Sequence, residues 1–246
     1  NKAFATYKGE VTMVDTWIGY LLRMVENMGL MENTAIIFTS DHGFYFGEHD
    51  GLFGKLTFAK KSDGSIYKHS DQDAMWDFSP LYEEIVLVPL LVYIPGVSSG
   101  VYKGITSAID IMPTVLDAMN ESIPEHVEGM SLLPRVHDKT IKGRDFTVST
   151  VPFANPGDPV DSVDNIRRRL GKAPVTTVTT EDWSLLYSID EGMSQLYHLP
   201  SDPYQNNDVV SLEPDNARDV HERLIKFMKD TNLPKSLLIP RNTLRI

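Results

Sequence analysis

A short apolar strand that ends in an aspartate and a histidine most strongly limits the folds open to this chain. Residues 35–40 (AIIFTS) are apolar and rich in β-branched side chains, a pattern typical of a buried strand. Gly29 and a few polar residues separate this strand from a long preceding helix, whose apolar residues recur every three or four positions: Tyr7, Val11, Val14, Ile18, Leu21, Val25 and Met28. A helix that leads directly into a buried strand predicts an α/β layer.

The order of predicted elements and the composition divide the chain into two predicted domains. Residues 1–150 continue the order of helix, strand, loop, strand, helix and strand, for which we expect mostly parallel pairing. A helix is predicted near residues 107–120, with Ser107 or Asp110 as its cap. Residues 151–246 begin with a loop rich in Pro, Gly and Asp, and continue with short strands and a final amphipathic helix at 216–230. We expect the strands WSLLYSID and SQLYHL to form a hairpin.

Two further regions carry expectations that the structure can test. The aromatic residues Phe4, Tyr7 and Trp17 of the first helix are predicted to pack in a core. The polar insert at 56–80 has two readings, a substrate-specificity loop or a disordered excursion. Its chemistry-bearing side chains are Lys60, Lys61, Tyr67, Lys68 and His69.

Composition excludes several classes of function. The net charge of −11 and the pI of about 5.0 argue against a nucleic-acid-binding protein, which normally carries a basic patch. The absence of cysteine excludes disulfides, thiolate nucleophiles and cysteine-based zinc sites within these residues. No apolar run approaches the roughly 20 residues that span a bilayer. The chain begins with Asn1 rather than Met, and we expect it to be part of a longer protein.

Asp41 and His42 fall where the strand at 35–40 ends, which is where open α/β sheets gather their ligands. A carboxylate beside an imidazole suits a divalent cation, although an aspartate that caps a turn next to a surface histidine explains the pattern equally well. Lys55 could bring a positive charge to the same place for an anionic, oxygen-rich substrate, or it could be a solvated surface lysine. His49 could line the pocket or hold a loop by hydrogen bonds.

Six stretches, in order along the chain, resemble the C-terminal portion of the sulfatase family within the alkaline phosphatase superfamily. They are VDTWIGYLLRMVENMGLMENTAIIFTSDHG, GEHDGLFGK, LYEEIVLVPLLVYIPG, SAIDIMPTVLDAMN, VEGMSLLP and QLYHLPSDPYQNND. This resemblance implies part of an alkaline-phosphatase-like three-layer sandwich, followed by a small antiparallel sheet with a C-terminal helix. It also implies that Asp41 and His42 are ligands of a catalytic divalent cation, usually calcium, and that Lys55 acts on the sulfate group or the leaving oxygen. The expected substrate is an anionic sulfate ester.

The nucleophile of the resembled family has no counterpart in these residues. That family uses a formylglycine made from Cys or Ser in a Cys/Ser-x-Pro-x-Arg motif, and the nearest text here, at 122–126 (SIPEH), lacks the arginine. We therefore expect a fragment of a metal-dependent sulfatase that is inactive alone, with the formylglycine in a preceding part. The alternatives are a phosphonate or phosphate ester hydrolase of the same superfamily, and a noncatalytic module that binds a cation or an anionic glycan.

Overall fold

The computed structural model describes residues 2–58, 65, 76–151 and 176–246. The helices of these residues are α1 (Lys2–Asn27), α2 (Glu48–Gly51), α3 (Glu83–Val86), α4 (Ile111–Ala118), α5 (Leu133–His137), α6 (Pro214–Asp230) and α7 (Lys235–Leu238). The strands are β1 (Ile36–Thr39), β2 (Tyr45–Phe46), β3 (Phe53–Gly54), β4 (Leu56–Phe58), β5 (Trp76–Phe78), β6 (Leu90–Tyr93), β7 (Phe146–Thr150), β8 (Thr176–Thr180), β9 (Trp183–Tyr187) and β10 (Gln195–His198). Part of the polar insert, including Lys60, Lys61, Tyr67, Lys68 and His69, and the predicted loop at 154–165 lie outside the described residues.

The chain forms two compact units, each built from two stretches of sequence. The first contains Asn1–Asp41 and Val88–Gly143, and the second contains His42–Leu87 and Arg144–Ile246. The predicted domains 1–150 and 151–246 stay a prediction. Neither unit is continuous in sequence, and β7 belongs to the second unit because it pairs with β8.

Helix α1 of the first unit ends where the sequence predicts. The amide of Gly29 donates to the carbonyl of Glu26, the amide of Leu30 donates to the carbonyl of Val25, and Gly29 has a φ of 69°. This is the Schellman arrangement, which satisfies the last carbonyls of a helix and favours glycine at its left-handed position.

The prediction that the aromatic residues of α1 pack in a core was wrong for the described structure. No residue of α1 is buried, and Trp17 keeps 67% of its surface exposed. Phe4 and Tyr7 are exposed as well. The apolar stripe that the periodicity indicates is present, but no surface within the described residues covers it.

Strands β1 and β6 of the first unit form a two-stranded sheet, and their pairing corrects a second expectation. Ile36 lies opposite Tyr93 and Thr39 lies opposite Leu90, so the strands are antiparallel rather than parallel. A parallel pair needs a crossover of a dozen or more residues, usually a helix. In the described part of the chain between these strands, α2 and α3 are single turns. Pro89 directly precedes β6, where its missing amide hydrogen removes no ladder bond.

The 3₁₀ turn at Ala108–Asp110, which runs directly into α4, confirms the predicted cap. The amide of Ser107 donates to Oδ2 of Asp110 at 2.9 Å, and Asp110 is fully buried. The other carboxylate oxygen of Asp110 accepts from the amide of Met130, and the hydroxyl of Thr114 accepts from the amide of Leu132. Asp110 therefore closes the helix start and also fixes the segment that leads into α5.

A four-stranded antiparallel sheet in the order β10-β9-β8-β7 forms the centre of the second unit. Strand β9 pairs with β10, with Leu186 opposite Gln195 and Trp183 opposite His198, which confirms the predicted hairpin. Helix α6 confirms the predicted final helix. The small antiparallel sheet with a C-terminal helix is thus present as expected.

Both faces of this sheet are covered, which explains why β8 and β9 are almost wholly buried. Leu185 faces the core that α6 completes, and Leu186 faces a second core made by the segment around residues 45–86. The first core contains Val178, Leu185, Tyr187, Leu196, Ala217, Val220, Leu224 and Met228, and the second contains Tyr45, Leu81, Tyr82, Ile85, Leu186 and Tyr197. Because successive side chains of a strand point to opposite faces, one sheet supports two cores.

No helix among the described residues is long and apolar enough to cross a membrane.

Candidate functional site

The structure brings together two of the side chains singled out by sequence, His42 and Lys55. The ammonium nitrogen of Lys55 lies 2.9 Å from Nε2 of His42, and Nδ1 of His42 lies 2.8 Å from the carbonyl oxygen of Gly43. These two partners allow only one tautomer of the His42 ring, because a carbonyl only accepts hydrogen bonds and an ammonium only donates them. Nδ1 therefore carries the hydrogen, and Nε2 presents its lone pair.

Gly43 permits the turn that presents His42. Its amide donates to the carbonyl of Ile85 at 2.9 Å, and the amide of Phe44 donates to the carbonyl of Glu84 at 3.0 Å. A Cβ at Gly43 would lie 1.7 Å from the carbonyl oxygen of Glu84, far inside contact distance. Only glycine fits where these two stretches of backbone approach so closely.

Lys55 follows the small hairpin of β2 and β3. Tyr45 lies opposite Gly54 and Phe46 lies opposite Phe53, and the rings of Phe44 and Phe53 meet edge to face at 5.4 Å. The carbonyl of Lys55 accepts a hydrogen bond of 2.9 Å from the hydroxyl of Ser79, whose side chain is buried. The backbone of Lys55 is thus held while its side chain remains exposed.

His49 lies in the turn that joins β2 to β3, and its side chain contacts two residues outside that turn. Its Nε2 lies 3.0 Å from Oε2 of Glu84, and its ring stacks on that of Tyr82 with centroids 3.6 Å apart and planes 9° apart. Only 8% of the His49 side chain is exposed. A substrate contact by His49 stays a prediction, but the contacts present match the loop-holding interpretation.

Two buried tyrosines anchor the same region. The hydroxyl of Tyr45 donates to the carbonyl of Pro80 at 2.6 Å and accepts from the amide of Tyr82 at 3.1 Å. The hydroxyl of Tyr82 donates to Oε1 of Gln195 at 2.7 Å. Burial raises the pKa of Tyr45 and of Tyr82, so both phenols stay protonated and keep these bonds.

Asp41 is exposed and immediately precedes His42 in sequence. The described residues contain no cluster of three or more His, Cys, Asp or Glu side chains that could hold a metal ion. The assignment of Asp41 and His42 as ligands of a cation stays a prediction. The segment around Ser122, which resembles a nucleophile motif only in part, is exposed and lies on a different unit from Lys55.

Two cavities were found elsewhere on the units. One of about 610 Å³ in the first unit lies between β6 and α5, and one of about 540 Å³ in the second unit lies beside α6. Neither is lined by His42 or Lys55. The ammonium of Lys55 can bind an anion beside His42, and neither cavity contains this pair of side chains.

Sequence reasoning did not single out three residues that support the site: Ser79, Tyr82 and Glu84. Each contacts a residue that is 24 or more positions away in sequence. The acidic pair at 83–84 just before a strand was a weak signal, because glutamate at the first turn of a helix is common. No local pattern could assign these contacts.

Comparison with known proteins shows a similarity to sulfatases. Residues 1–121 match the sulfatase family model. An arylsulfatase of Clostridium perfringens is 28% identical over 217 residues, which cover 86% of this chain and 37% of that protein. The chain spans roughly a third of the length of the curated relatives it matches.

Solved structures agree on the fold. A structure in complex with its substrate D-glucosamine-2-N,6-O-disulfate has a TM-score of 0.61 at 23% identity, covering 90% of this chain and 39% of that one. The phosphonate monoester hydrolase of Silicibacter pomeroyi has a TM-score of 0.64 at 20% identity, covering 89% of this chain and 39% of that one. Together with the family model and the arylsulfatase, these structures show that the chain is similar in sequence and in fold to proteins of the sulfatase family.

Proposed function

We propose that the full-length protein hydrolyses sulfate esters and that residues 1–246 contribute part of its active site. The observation that carries the proposal is the 2.9 Å contact between Lys55 and Nε2 of His42 in a chain whose residues 1–121 match the sulfatase family model. The ammonium group of Lys55 donates one hydrogen to His42 and has two further N–H donors with which to bind an anionic group that carries several oxygens. Lys55 would stabilise the negative charge that grows on the sulfate group or on the leaving oxygen.

Asp41 and His42 are the residues that we propose as ligands of a divalent cation, with calcium as the expected ion. The arrangement of His42 fits this role, because a neutral imidazole with hydrogen on Nδ1 can bind a metal through Nε2, where the cation would take the place that the ammonium of Lys55 holds in this structure. The carboxylate of Asp41 is a hard oxygen ligand of the kind that calcium takes. When bound, such a cation would act as a Lewis acid on an oxygen of the sulfate group.

The nucleophile of the reaction is proposed to lie outside residues 1–246. These residues contain no cysteine, so they supply no formylglycine derived from cysteine. Asp41, His42 and Lys55 bind charge and orient the ester, but they do not attack sulfur.

A phosphonate or phosphate ester is the second candidate substrate class. The phosphonate monoester hydrolase with a TM-score of 0.64 favours it, and Lys55 would bind a phosphonate oxygen as well as a sulfate oxygen. The neighbour whose substrate is a disulfated glucosamine makes sulfated amino sugars the first natural esters to test.

The test is to assay the purified full-length protein with calcium on an aryl sulfate, a phenyl phosphonate monoester and a sulfated glucosamine. We expect hydrolysis of the sulfates, and a loss of about 100-fold or more in kcat/KM in Lys55→Ala. Lys103→Ala, which removes an exposed lysine of the first unit, is the matched control and should keep wild-type activity.

Metal analysis separates the role of the cation from that of Lys55. Asp41→Ala should lose bound calcium and activity together, whereas Lys55→Ala should keep the calcium. Preference for the phosphonate would move the assignment to the second candidate. Binding of calcium or a sulfated glycan with no turnover of any ester would support a noncatalytic module instead.

A further inference from the structure

The His42–Lys55 pair depends on one residue that contacts the chain at two points between them. The backbone carbonyl of Glu84 accepts from the amide of Phe44, two positions after His42. The carboxylate of the same residue contacts His49, six positions before Lys55. Glu84 thus fixes the backbone just after His42, and it also fixes the turn that precedes Lys55.

The turn that Glu84 holds is strained. His49 has φ and ψ of 50° and 62°, and Asp50 has 62° and 31°, so two successive non-glycine residues adopt the left-handed region. Such a conformation costs about 1–3 kcal/mol per residue and persists only where the surroundings impose it. The contacts that impose it are the hydrogen bond with Glu84 and the stack on Tyr82, both made by the side chain of His49.

The segment that contains Glu84 is itself attached to the sheet of the second unit. The amide of Glu83 donates to Oε1 of Gln205 at 2.7 Å, and Nε2 of Gln205 donates to the hydroxyl of Ser184 on β9. Gln205 and Ser184 are fully buried. The α3 turn that presents Glu84 therefore rests on a rigid sheet rather than on another surface loop.

We propose that Glu84 is a positioning residue for Lys55 and that His49 transmits its effect. The role rests on the proposed function, because it concerns the placement of Lys55 on the sulfate group. His49 does not bind the substrate in this role, since its Nε2 bonds to Glu84 and its ring stacks on Tyr82. Loss of the carboxylate frees the turn at 48–51, and Lys55 no longer stays 2.9 Å from His42.

Three variants of the full-length protein test the proposal. Glu84→Ala removes the acceptor for His49 but keeps the backbone carbonyl that Phe44 needs. Glu84→Gln keeps an acceptor oxygen at the same place. Glu83→Ala changes the neighbouring glutamate of the same helical turn, whose side chain bonds to Thr179 on β8, and serves as the matched control.

We expect Glu84→Ala to lower kcat for the sulfate ester by about 10–100-fold, the usual range for residues that orient a catalytic group, with a smaller change in KM. Glu84→Gln should recover most of this loss, and Glu83→Ala should keep wild-type kcat. Wild-type kcat in Glu84→Ala with only a lower melting temperature would overturn the proposal. So would a His49→Ala variant with a raised KM and normal kcat, which would make His49 a substrate ligand.

A second readout does not depend on catalysis. Acylation of Lys55 by an amine-reactive ester, followed by peptide mass spectrometry, should be several-fold faster in Glu84→Ala than in Glu83→Ala. The reason is that the hydrogen bond from Lys55 to His42 must break before the amine reacts. Equal rates in the two variants would refute the positioning role. If the wild type hydrolyses no ester but the rates still differ, the proposed function fails and the positioning role stands.

Discussion

Gly43 shows how a single position without a side chain can decide the geometry of a site. The backbone at 43–44 runs against that at 84–85, and the carbonyl of Glu84 occupies the space that any Cβ at Gly43 would need. This close approach directs His42 toward Lys55. The same contact leads to a sharp prediction for stability.

Gly43→Ala should lower the free energy of unfolding by about 1–3 kcal/mol or more, because the added methyl group forces the two backbones apart. The measurement is urea unfolding followed by circular dichroism. Gly9→Ala is the matched control, since a Cβ there meets nothing within 4 Å and alanine favours a helix interior. Equal unfolding midpoints for Gly43→Ala and the wild type would show that the approach is looser than described.

At the residue scale, sequence could predict the groups that carry charge but not the groups that place them. Asp41, His42 and Lys55 follow one another within a short stretch, so a local motif identifies them. Glu84 contacts His49 across 35 positions, and such a contact depends on how the chain folds back. The chemical role of a side chain can be recognised locally, whereas its support is a property of tertiary structure.

At the element scale, helix α6 buries a titratable side chain, that of His221, together with its apolar residues. Val220 and Leu224 are buried against the sheet, and His221 is buried between them. Nε2 of His221 donates to the carbonyl of Arg241 at 2.8 Å, and its ring lies 5.0 Å from that of Tyr187. Burial lowers the pKa of His221, although the bond to Arg241 and the charge of Glu222 act in the opposite direction.

This lowered pKa predicts a pH dependence with a definite sign. Below about pH 6.5, the ordinary value for histidine, the unfolded chain binds a proton that the folded chain resists, so stability falls as the pH decreases. The slope from this one group cannot exceed about 1.4 kcal/mol per pH unit. His221→Gln keeps a donor for Arg241 but does not titrate, and it should lose this part of the slope between pH 5 and 7.

Urea unfolding at several pH values, with β9 reported by Trp183 fluorescence, measures the effect. His198→Gln is the control, because it replaces a histidine whose side chain bonds to the hydroxyl of Ser201 in an exposed position. An unchanged slope in His221→Gln would contradict the assignment.

Elements with local signals were the predictable ones. The end of α1 at Gly29, the cap at Ser107 and Asp110, and the β9–β10 hairpin follow from a few adjacent residues. The direction of pairing between β1 and β6 was predicted wrongly, because their partners are about 50 residues apart and nothing local sets the direction. The order of helices and strands along the chain resembles that of α/β proteins, but this order did not predict the direction of this pair correctly.

At the scale of the whole molecule, the two units are unlike in how they bury apolar side chains. The second unit has two cores on the faces of one sheet, whereas α1 of the first unit has no buried residue. Periodicity predicts that a helix has an apolar face, but it does not reveal what covers that face. The exposed aromatic stripe was therefore beyond the reach of sequence reasoning.

Residues 1–246 produced alone should show no sulfatase turnover, even with calcium, because they provide charge binding without a nucleophile. Loss of a covalent nucleophile commonly costs several powers of ten in rate. The same polypeptide should bind the dye ANS, since the apolar residues of α1 are exposed. The assay is hydrolysis of an activated aryl sulfate, with Lys55→Ala as the control. Robust turnover that disappears in Lys55→Ala would show that the site is more complete than proposed.

The pairing of β4 with β5 has a consequence for how proteins that share this pair of strands could diversify. Phe58 lies opposite Trp76, so the two ends of the stretch 59–75 are held side by side by the ladder itself. Closing a longer connection across such a pair is inexpensive, because doubling its length costs only about 0.6 kcal/mol. Insertions and deletions at this point would leave the hairpin that carries Lys55 nearly undisturbed. An evolving lineage, or a protein engineer grafting a recognition peptide, could therefore exchange this stretch while the chemistry of the neighbouring residues is inherited intact.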